Sequence, residues 1–558
     1  MQRRNFLIAS ILLSFGLVSI VVLRSEGGAV RAKHLAEYEL QITKKGFQKF
    51  VDPLPTLPII KIPTNLDKNK PVEISMHLQQ MKVQLHRDLP ETLVWGYENS
   101  SPGPTIEVES GQALRIHWIN DLPTHHFLPA ATGMDMSLSE PLPDVRNVTH
   151  LHGAVVEQPS MTDRLHNNDG WPDAWTIPGQ EQIADYPNQQ SARYMLYHDH
   201  AVGTTGRNVA AGLLGLYRIR DDYERSLPLP SGDFEITLAF QARGLNADGS
   251  LYYSPNLSQE YYGNVVAVNG KLWPFLNVEP RKYRVHMINI SNARSYDLKL
   301  VDSTNTSIPG PAFQQIGVDG GFLGKPAILN DPKDPHAPRL SLSPAERADV
   351  IIDFSNYAGK NLILDNINLD GVDGEMPVPQ LMMIKVATQT RAPDLSELPS
   401  NFRAIQKINP ASATVSRQIS LSAVDMDHGM QMLLLNGKAW HDPLTEKIQN
   451  GSTEIWKLIN TTTDMHPFHM HLVEVQILDR TPIDMTEFKK NGNILATGSV
   501  QPPDENEMGW KDVVHLPAGQ MTRIIMRFNS YAGFYVYHCH ILEHEDMDMM
   551  RPFQVWNP

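Results

Sequence analysis

The sequence of 558 residues contains a single cysteine, Cys539. One cysteine excludes an internal disulfide, so the chain does not depend on covalent cross-links for its stability. An unpaired thiol in an oxidising compartment is open to oxidation, and a bond to a metal ion is the simplest protection for it. The sequence therefore predicts a metal-bound Cys539, with a buried and inert thiol as the alternative.

Positive charge is scarce as well. The chain carries 48 basic and 62 acidic side chains, which gives a formal net charge of -14. A balance of this sign argues against nucleic acid or an anionic membrane surface as a partner. It favours solubility and a weak attraction for cations.

Long stretches with helical periodicity are absent, and turns are frequent. The 41 prolines and 36 glycines are scattered along the chain, which is typical of an all-β protein with many turns. With 41% apolar and 20% charged residues, the composition is that of a globular protein. A chain of this length suggests about three or four domains.

The first 32 residues have the character of an export segment. Arg3 and Arg4 precede an apolar run at residues 6–23, an arrangement similar to the twin-arginine signal that exports folded proteins. The apolar run also just reaches the length of a membrane span. Residues 30–32 (Val-Arg-Ala) offer a cleavage site. We therefore expect a periplasmic or otherwise extracytoplasmic protein, with either a cleaved signal or a retained N-terminal anchor as its one membrane contact.

Internal similarity predicts a repeated domain. Residues 354–359 (FSNYAG) recur as residues 528–533 (FNSYAG). A second pattern, which alternates in the manner of a half-buried strand and ends in Ile-Asn, occurs at residues 112–120, 282–289 and 453–460. We expect three β-sandwich units at residues 45–225, 226–397 and 398–558, joined by linkers at residues 220–232 and 391–412.

Histidines recur in four His-x-His pairs. Alternate side chains of a strand share one face, so both members of each pair can bind the same centre. Eight imidazoles suit several copper ions better than one zinc ion, which takes four ligands. In the middle unit, residues 364–366 (Leu-Asp-Asn) stand where the last unit has residues 538–540, so we expect no ligands there. The pairs are His150 and His152, His198 and His200, His469 and His471, and His538 and His540.

The thiol of Cys539 faces away from its two histidine neighbours, and a second ligand set is available to it. His466, His544 and Met549 are the remaining candidates. Two imidazoles, a thiolate and a weak axial thioether describe a blue-copper electron-transfer site. Met547 and Met550 are rival axial ligands. One short peptide thus serves metal on both of its faces, which indicates an electron relay.

Several motifs resemble those of the three-domain multicopper oxidases, above all the bacterial spore-coat laccases and bilirubin oxidase. The resemblance implies three consecutive cupredoxin-like Greek-key β-sandwich domains and four copper ions, one of type 1, one of type 2 and two of type 3. The motifs are residues 49–52 (KFVD), 85–90 (LHRDLP), 102–107 (PGPTIE), 436–443 (NGKAWHDP) and 538–552.

The resemblance also implies ligand roles. His466, Cys539, His544 and Met549 match the type 1 ligands, and two histidines, His150 and His469, match those of type 2. The implied reaction is one-electron oxidation of phenolic or other aromatic donors, coupled to four-electron reduction of dioxygen to water. The type 3 pair is matched by His152, His198, His200, His471, His538 and His540.

Water formation consumes protons, so a carboxylate near the cluster is required. The resemblance points to Glu545 and to Asp169. The alternatives are an exposed carboxylate for Glu545 and a turn aspartate before Gly170 for Asp169.

The electron donor stays open at this point. A metal-ion oxidase, for cuprous or manganese ions in metal tolerance, is suggested by Met426, Met430 and Met432, since thioethers favour Cu(I). These methionines also suit adaptable packing. A copper-free structural protein of the cell envelope is a third hypothesis. We expect a monomer whose partners are dioxygen and a small reductant.

Overall fold

The computed structural model describes residues 47–130, 142–254, 256, 260–334, 336–368, 378–425 and 431–558. The predicted export segment at residues 1–32 lies outside the described residues, as do Met426 and Met430. Among the residues described, none of the helices is long and apolar enough to cross a membrane.

Up to residue 220, the described chain folds into two sheets that share one core, which we call the first domain. Its strands are β1 (Ile59–Lys61), β2 (Val72–Val83), β3 (Thr92–Tyr97), β4 (Gly103–Glu109), β5 (Leu114–Asn120), β6 (Thr149–His152), β7 (Glu181–Tyr186), β8 (Arg193–Asp199) and β9 (Leu214–Arg220). One sheet has the order β1-β4-β9-β8-β6 and the other the order β3-β2-β5-β7.

The next strands form the middle domain, again as two sheets. They are β10 (Glu235–Arg243), β11 (Val265–Val268), β12 (Lys271–Leu272), β13 (Phe275–Val278), β14 (Lys282–Asn289), β15 (Tyr296–Asp302), β16 (Asn305–Pro309), β17 (Phe313–Val318), β18 (Gly321–Leu329), β19 (Leu340–Leu342), β20 (Arg347–Asp353), β21 (Asn361–Asn366) and β22 (Met382–Val386). The sheet orders are β12-β11-β10-β14-β20-β17-β18 and β13-β22-β21-β15-β16, with β19 also paired to β15.

The last domain contains the remaining strands. They are β23 (Val415–Asp425), β24 (Gln431–Leu435), β25 (Glu446–Gln449), β26 (Thr453–Asn460), β27 (His466–Met470), β28 (Val475–Pro482), β29 (Val513–Leu516), β30 (Gln520–Arg527), β31 (Gly533–Cys539) and β32 (Met550–Trp556). Its sheets have the orders β24-β23-β26-β30-β28 and β25-β32-β31-β27-β29.

Helices are short. The α-helices of the described chain are α1 (Thr205–Ala211), α2 (Asp222–Ser226), α3 (Met485–Asn491) and α4 (Leu542–Asp546), and the 3-10 turns are Gly232–Phe234, Ser355–Tyr357, Pro410–Ser412 and Glu505–Glu507. α2 lies inside the predicted first linker. Its Glu224 is buried and lies 2.8 Å from the guanidinium of Arg284, so this segment is packed rather than extended.

All three domains repeat one strand pattern. In the first, β2 runs parallel to β5. β10 runs parallel to β14, and β23 parallel to β26, in the same way. The three similar segments that end in Ile-Asn occupy β5, β14 and β26, so the sequence similarity reflects one structural position. The predicted all-β fold with three repeated sandwiches is confirmed, while the domain limits at residues 225 and 397 stay predictions.

The apolar cores follow the strand alternation. In β5, Leu114, Ile116 and Trp118 are buried while the residues between them are partly exposed. Burial of one such side chain stabilises the fold by about 1.5–3 kcal/mol. A smaller apolar cluster joins the domains, with Leu196 of the first, Ile288 of the middle and Val513 of the last among its members. The three sandwiches therefore pack into one body.

The repeated Tyr-Ala-Gly segment ends in a glycine whose role differs between domains, and substitution tests the difference. A Cβ on Gly533 (φ 151°) lies 2.4 Å from the carbonyl oxygen of Gln158, whereas the nearest atom to a Cβ on Gly359 (φ 73°) is 3.7 Å away, on Thr388. Gly359→Ala should cost about 1–2 kcal/mol of unfolding free energy, from backbone strain alone. Gly533→Ala should cost more, because it adds a clash with rigid backbone.

Urea unfolding of the two variants and the parent measures these costs. Equal losses in both variants contradict the assigned contact between the last and first domains.

Candidate metal centre

The four His-x-His pairs lie at strand ends in the first and last domains, and strand register brings them together. β6 pairs with β8 so that His150 is opposite His198. β27 pairs with β31 so that His469 is opposite His538. Eight buried rings meet between the two domains and form what we call the imidazole cluster: His150, His152, His198, His200, His469, His471, His538 and His540.

Three rings of the cluster point their nitrogen atoms at one another. The Nε2 atom of His538 lies 3.3 Å from that of His200 and 3.3 Å from that of His471. Each of these residues has a ligand atom within 4.8 Å of the other two. Convergent nitrogens of this kind are the donor set of a metal ion.

A second set surrounds His540. Its ring centroid lies 4.9 Å from that of His152 and 5.2 Å from that of His198. Neither ring nitrogen of His540 has a hydrogen-bond partner, although the side chain is buried. The rings of His150 and His469 lie between the two domains, with centroids 5.9 Å apart.

In three rings, one nitrogen makes a hydrogen bond to a backbone carbonyl and the other has no hydrogen-bond partner. The Nδ1 atoms of His150, His198 and His469 lie 2.5, 2.7 and 2.7 Å from the carbonyl oxygens of Asp169, Asp199 and Asp512 respectively. Their Nε2 atoms are buried without a partner. A buried polar atom in that state costs about 1–3 kcal/mol. Metal-ligating histidines show this pattern of one anchored nitrogen, so the cluster fits bound metal ions.

Burial sets the charge state of the rings. It lowers the pKa of most of them well below the ordinary value, and neighbouring imidazoles lower it further. This holds for His150, His152, His469, His471 and His540. The pKa of His198 falls to about 4 and that of His200 to about 3, for burial first of all. These seven rings are therefore neutral at pH 7, which is the form that binds metal.

The thiol has its own ligand set. The Sγ atom of Cys539 lies 3.3 Å from Nδ1 of His466 and 3.6 Å from Nδ1 of His544, and the two nitrogens are 3.2 Å apart. Met549 is fully buried in the same apolar core, and its carbonyl oxygen accepts the N–H of Cys539 at 3.0 Å. Met550 packs in a different cluster, which favours Met549 over Met550 as the fourth group.

The outer edges of these two imidazoles contact polar side chains. Thr462 Oγ1 lies 2.7 Å from Nε2 of His466. Glu260 Oε1 lies 2.5 Å from Nε2 of His544. Burial by itself lowers the pKa of His544, but Glu260 and the thiol of Cys539 outweigh it and raise the pKa to about 10. Sequence reasoning missed Glu260, because it belongs to no repeat or motif.

Glu545 touches the imidazole cluster from α4. Its Oε1 atom lies 3.2 Å from Nδ1 of His200, and its Oε2 atom lies 3.1 Å from Nδ1 of His538. Thr205 donates its hydroxyl hydrogen to Oε1 at 2.8 Å. Burial raises the pKa of Glu545, but the two imidazoles outweigh it and leave the pKa below its usual value. The exposed-carboxylate alternative is wrong, because the side chain is buried.

Asp169 contacts other histidines of the cluster than Glu545 does. Its Oδ2 atom accepts from Nδ1 of His471 at 2.8 Å, and its Oδ1 atom is buried without a partner. Burial raises the pKa of Asp169 well above its usual value. The turn before Gly170 exists, but a turn role alone does not account for the contact with His471.

Asp512 is a further group that sequence reasoning missed. Its Oδ1 atom lies 3.1 Å from Nε2 of His152, and its carbonyl oxygen holds His469. Asp512 follows a lysine and lies outside the four His-x-His pairs and the repeated segments, so its position gives no sequence signal.

The peptide at residues 538–540 serves two sites, as its alternation predicts. His538 and His540 enter the imidazole cluster, and Cys539 faces His466 and His544. Among the described residues, none of the candidate ligand groups draws on the middle domain. At the corresponding place on β21, Leu364 and Asn366 are simply buried.

Comparison with known proteins identifies the family. Two segments, residues 78–144 and 410–558, match family models described as multicopper oxidase. The laccase of Bacillus subtilis (strain 168) is 40% identical over 534 residues, covering 92% of this chain and 99% of the relative. The chain belongs to the multicopper oxidase family. The bilirubin oxidase of Albifimbria verrucaria is 32% identical, covering 93% of this chain and 83% of that protein.

A solved structure agrees with the sequence relatives. The crystal structure of the laccase of Pediococcus acidilactici has a TM-score of 0.70 at 25% identity and covers 91% of this chain and 95% of its own. The fold is therefore the three-domain, cupredoxin-like fold of multicopper oxidases. The protein is a laccase-like, copper-dependent oxidoreductase that uses dioxygen as its electron acceptor.

The copper-free protein should lose stability as the pH falls from 7 to 5. The pKa values of His198 and His200, about 4 and about 3, lie below the value of roughly 6.5 of an unfolded histidine. Below pH 6.5 the unfolded chain therefore binds protons that the folded chain refuses. Each such histidine removes up to about 1.4 kcal/mol of unfolding free energy per pH unit.

Urea unfolding in the presence of a chelator, at pH 7, 6 and 5, measures the slope. His198→Gln should reduce the loss of unfolding free energy per pH unit. His544, with its raised pKa, acts in the opposite direction: its contribution is fully present below about pH 6.5 and is lost as the pH rises from there through about 10. A stability that stays constant between pH 7 and 5 contradicts the burial of neutral imidazoles.

Proposed function

We propose that the protein is a laccase that binds four copper ions. Type 1 copper is bound by His466, Cys539, His544 and Met549, and type 2 copper by His150 and His469. The observation that carries the proposal is the pair of buried ligand sets joined through the peptide at residues 538–540. The type 3 pair is bound by His152, His198, His200, His471, His538 and His540.

The ring geometry supports a division of the type 3 ligands into two threes. The converging Nε2 atoms of His200, His471 and His538 suit one ion. The remaining type 3 histidines, which surround His540, suit the other. When bound, copper supplies one-electron redox chemistry, with donor oxidation at the type 1 site and dioxygen reduction at the cluster.

The protein chain connects the two sites and excludes bulk water from them. Cys539 is bonded directly to His538 and His540, so only backbone separates the two sites. Both sites are buried, which keeps bulk water from the reduced centres. The hydrogen bonds at the outer edges of His466 and His544 fix the orientation of the two rings that face a donor.

Glu545 and Asp169 supply the proton path. Reduction of dioxygen to two waters consumes four protons, and a carboxyl group within hydrogen-bond reach is required to pass them on. Glu545 contacts two imidazoles of one type 3 set and takes a hydrogen bond from Thr205. Asp169 presents its Oδ1 atom, which has no hydrogen-bond partner and lies 3.8 Å from Nδ1 of His150.

A cavity beside the type 1 ligands has room for an aromatic donor. Its volume is about 550 Å³, and its lining includes Tyr262, Asp464, Met465 and Ile541. Met465 directly precedes His466, and Ile541 donates its N–H to Cys539 Sγ at 3.5 Å. Donors of phenolic or other aromatic type fit this space.

A metal-ion donor is the second candidate. Asp464 lines the cavity and Glu260 contacts His544, and carboxylates suit a hard cation such as Mn(II). Of the three methionines that suggested Cu(I), Met432 lies on β24, away from the cavity lining. The copper-free structural hypothesis has no support, since every predicted ligand is buried in a ligand set or beside one.

We further propose that the protein is an exported, extracytoplasmic monomer. The support is the twin-arginine-like start of the sequence and a lone cysteine placed among metal ligands.

Oxygen uptake by the copper-loaded protein tests the donor class. Phenols, aromatic amines and bilirubin are compared with Cu(I) and Mn(II) at equal concentration. We expect turnover on the aromatic donors and blue absorbance from the thiolate-bound copper. Turnover on metal ions alone contradicts the laccase assignment, and a colourless loaded protein contradicts the type 1 site.

Glu545→Gln should slow oxygen reduction by about 100-fold, because an amide cannot take up and release the proton. The blue absorbance should stay unchanged. Glu543→Gln is the matched control, since Glu543 lies on the same helix, is equally buried and contacts Asn292 and Tyr253 instead of the cluster. Unchanged turnover of the Glu545 variant at saturating oxygen removes Glu545 from the mechanism.

A further inference from the structure

Two stacked imidazoles of the cluster share one support. The rings of His152 and His469 stack with centroids 3.7 Å apart. Asp512 holds both of them, since its Oδ1 atom lies 3.1 Å from Nε2 of His152 and its carbonyl oxygen lies 2.7 Å from Nδ1 of His469. The free nitrogens of both rings, Nδ1 of His152 and Nε2 of His469, are buried without partners. The place of Asp512 therefore decides where these two donor atoms point.

A guanidinium from the middle domain fixes Asp512. Arg347 donates from its two terminal nitrogens to the two carboxylate oxygens of Asp512, each at 2.5 Å. This fork leaves the carboxylate no freedom to rotate. The middle domain holds none of the predicted ligands, yet it sets the geometry of a support for two of them.

The guanidinium is itself held by all three domains. Its Nε atom donates to the carbonyl oxygen of Tyr194 in the first domain at 3.1 Å. Its terminal nitrogens also donate to the carbonyl oxygens of Ala345 and Asp319 in the middle domain, at 3.0 and 3.1 Å. Arg347 is buried, with 3% of its surface exposed. Its position therefore depends on how the three domains meet.

Further buried charged side chains, alternately basic and acidic, continue this series of contacts. Lys511 lies 3.0 Å from Asp319 and 2.8 Å from Glu346. Glu346 also contacts His515, whose Nε2 atom lies 2.6 Å from the hydroxyl of Ser343. His515 and Ser343 line the cavity beside the type 1 ligands. The chain of contacts thus runs from that cavity to the imidazole cluster.

Proton transfer along this chain is disfavoured. Burial by itself lowers the pKa of Arg347 and of Lys511, but their carboxylate partners outweigh it and raise both above their usual values. A relay requires groups that release their proton at neutral pH, and these two cations hold theirs. The arrangement suits a rigid support instead.

We propose that Arg347 and Asp512 are positioning residues through which the middle domain aligns His152 and His469. These two histidines belong to the trinuclear copper site, which is the proposed type 2 copper together with the type 3 pair. This inference rests on the proposed copper sites. In ordinary metal sites, loss of such a supporting contact lowers metal affinity by about 10–100-fold.

Arg347→Gln tests the proposal, with Arg347→Lys as the conservative variant. The matched control is Arg284→Gln, since Arg284 is another buried arginine of the middle domain, donates to Asp349 through two nitrogens and contacts none of the cluster histidines. The readouts are copper per chain, copper affinity in a chelator competition, the electron paramagnetic resonance signal of the type 2 copper, the blue absorbance and the melting temperature of the copper-free protein.

We expect Arg347→Gln to lower copper affinity at the cluster by about 10–100-fold and to change the type 2 signal, with the blue absorbance retained. Arg347→Lys should show a smaller change in the same direction, because an ammonium replaces only part of the fork. Arg284→Gln should lower the melting temperature without a change in copper affinity or in the type 2 signal.

Copper affinity and a type 2 signal equal to the parent in Arg347→Lys and Arg347→Gln overturn the proposal. Equal losses in Arg284→Gln also overturn it, because they show general destabilisation. If Arg347→Gln does not fold, Arg347→Lys decides. A parent protein that binds no blue copper refutes the proposed function instead, before any variant is compared.

Discussion

Side-chain alternation at the end of β31 is the constraint on which both candidate metal sites depend. The last two residues of the strand and the residue that follows it send two imidazoles to one face and a thiol to the other. The imidazole face is closed by the first domain and the thiol face by the last. Neither set can shift along the chain without the other, so the separation of the two sites is fixed by backbone geometry rather than by side-chain packing.

The second requirement is the burial of many neutral polar rings. An imidazole of the cluster that makes a hydrogen bond to a protein oxygen through one ring nitrogen cannot rotate freely. Its other ring nitrogen then points into the cluster. Backbone carbonyls do this for four rings, and carboxylates do it for others. The ligand geometry is therefore stored in the residues around the histidines. Without metal, this geometry leaves buried ring nitrogens without hydrogen-bond partners, which is unfavourable.

Sequence reasoning reaches the candidate ligands, which the structure brings together, because each signal is local. His-x-His spacing, a lone cysteine and a repeated strand pattern lie within a few residues, and strand alternation turns that spacing into geometry. The fold followed from the same pattern, since the three Ile-Asn segments occupy β5, β14 and β26. Helices as short as α1 and α4 leave no periodic trace, so they were not predicted.

Groups that act across domains escaped prediction for the opposite reason. Glu260, Asp512 and Arg347 reach the sites through contacts between segments far apart in sequence, and none of them belongs to a repeat. Their residue types are common on any surface. Only the packing of three sandwiches shows that they are buried beside ligands, and buried ion pairs of this kind contribute specificity of arrangement more readily than stability.

The division of the cluster between β6, β8, β27 and β31 has a consequence for biosynthesis. The first domain is synthesised with half of the imidazoles, but their partners lie in the last domain, at residues 469–471 and 538–540. A chain that stops before β31 lacks two of the eight imidazoles. On the proposed function, full copper loading can therefore only follow synthesis and docking of the last domain. On that proposal, metal insertion reports that the first and last sandwiches have both folded and docked.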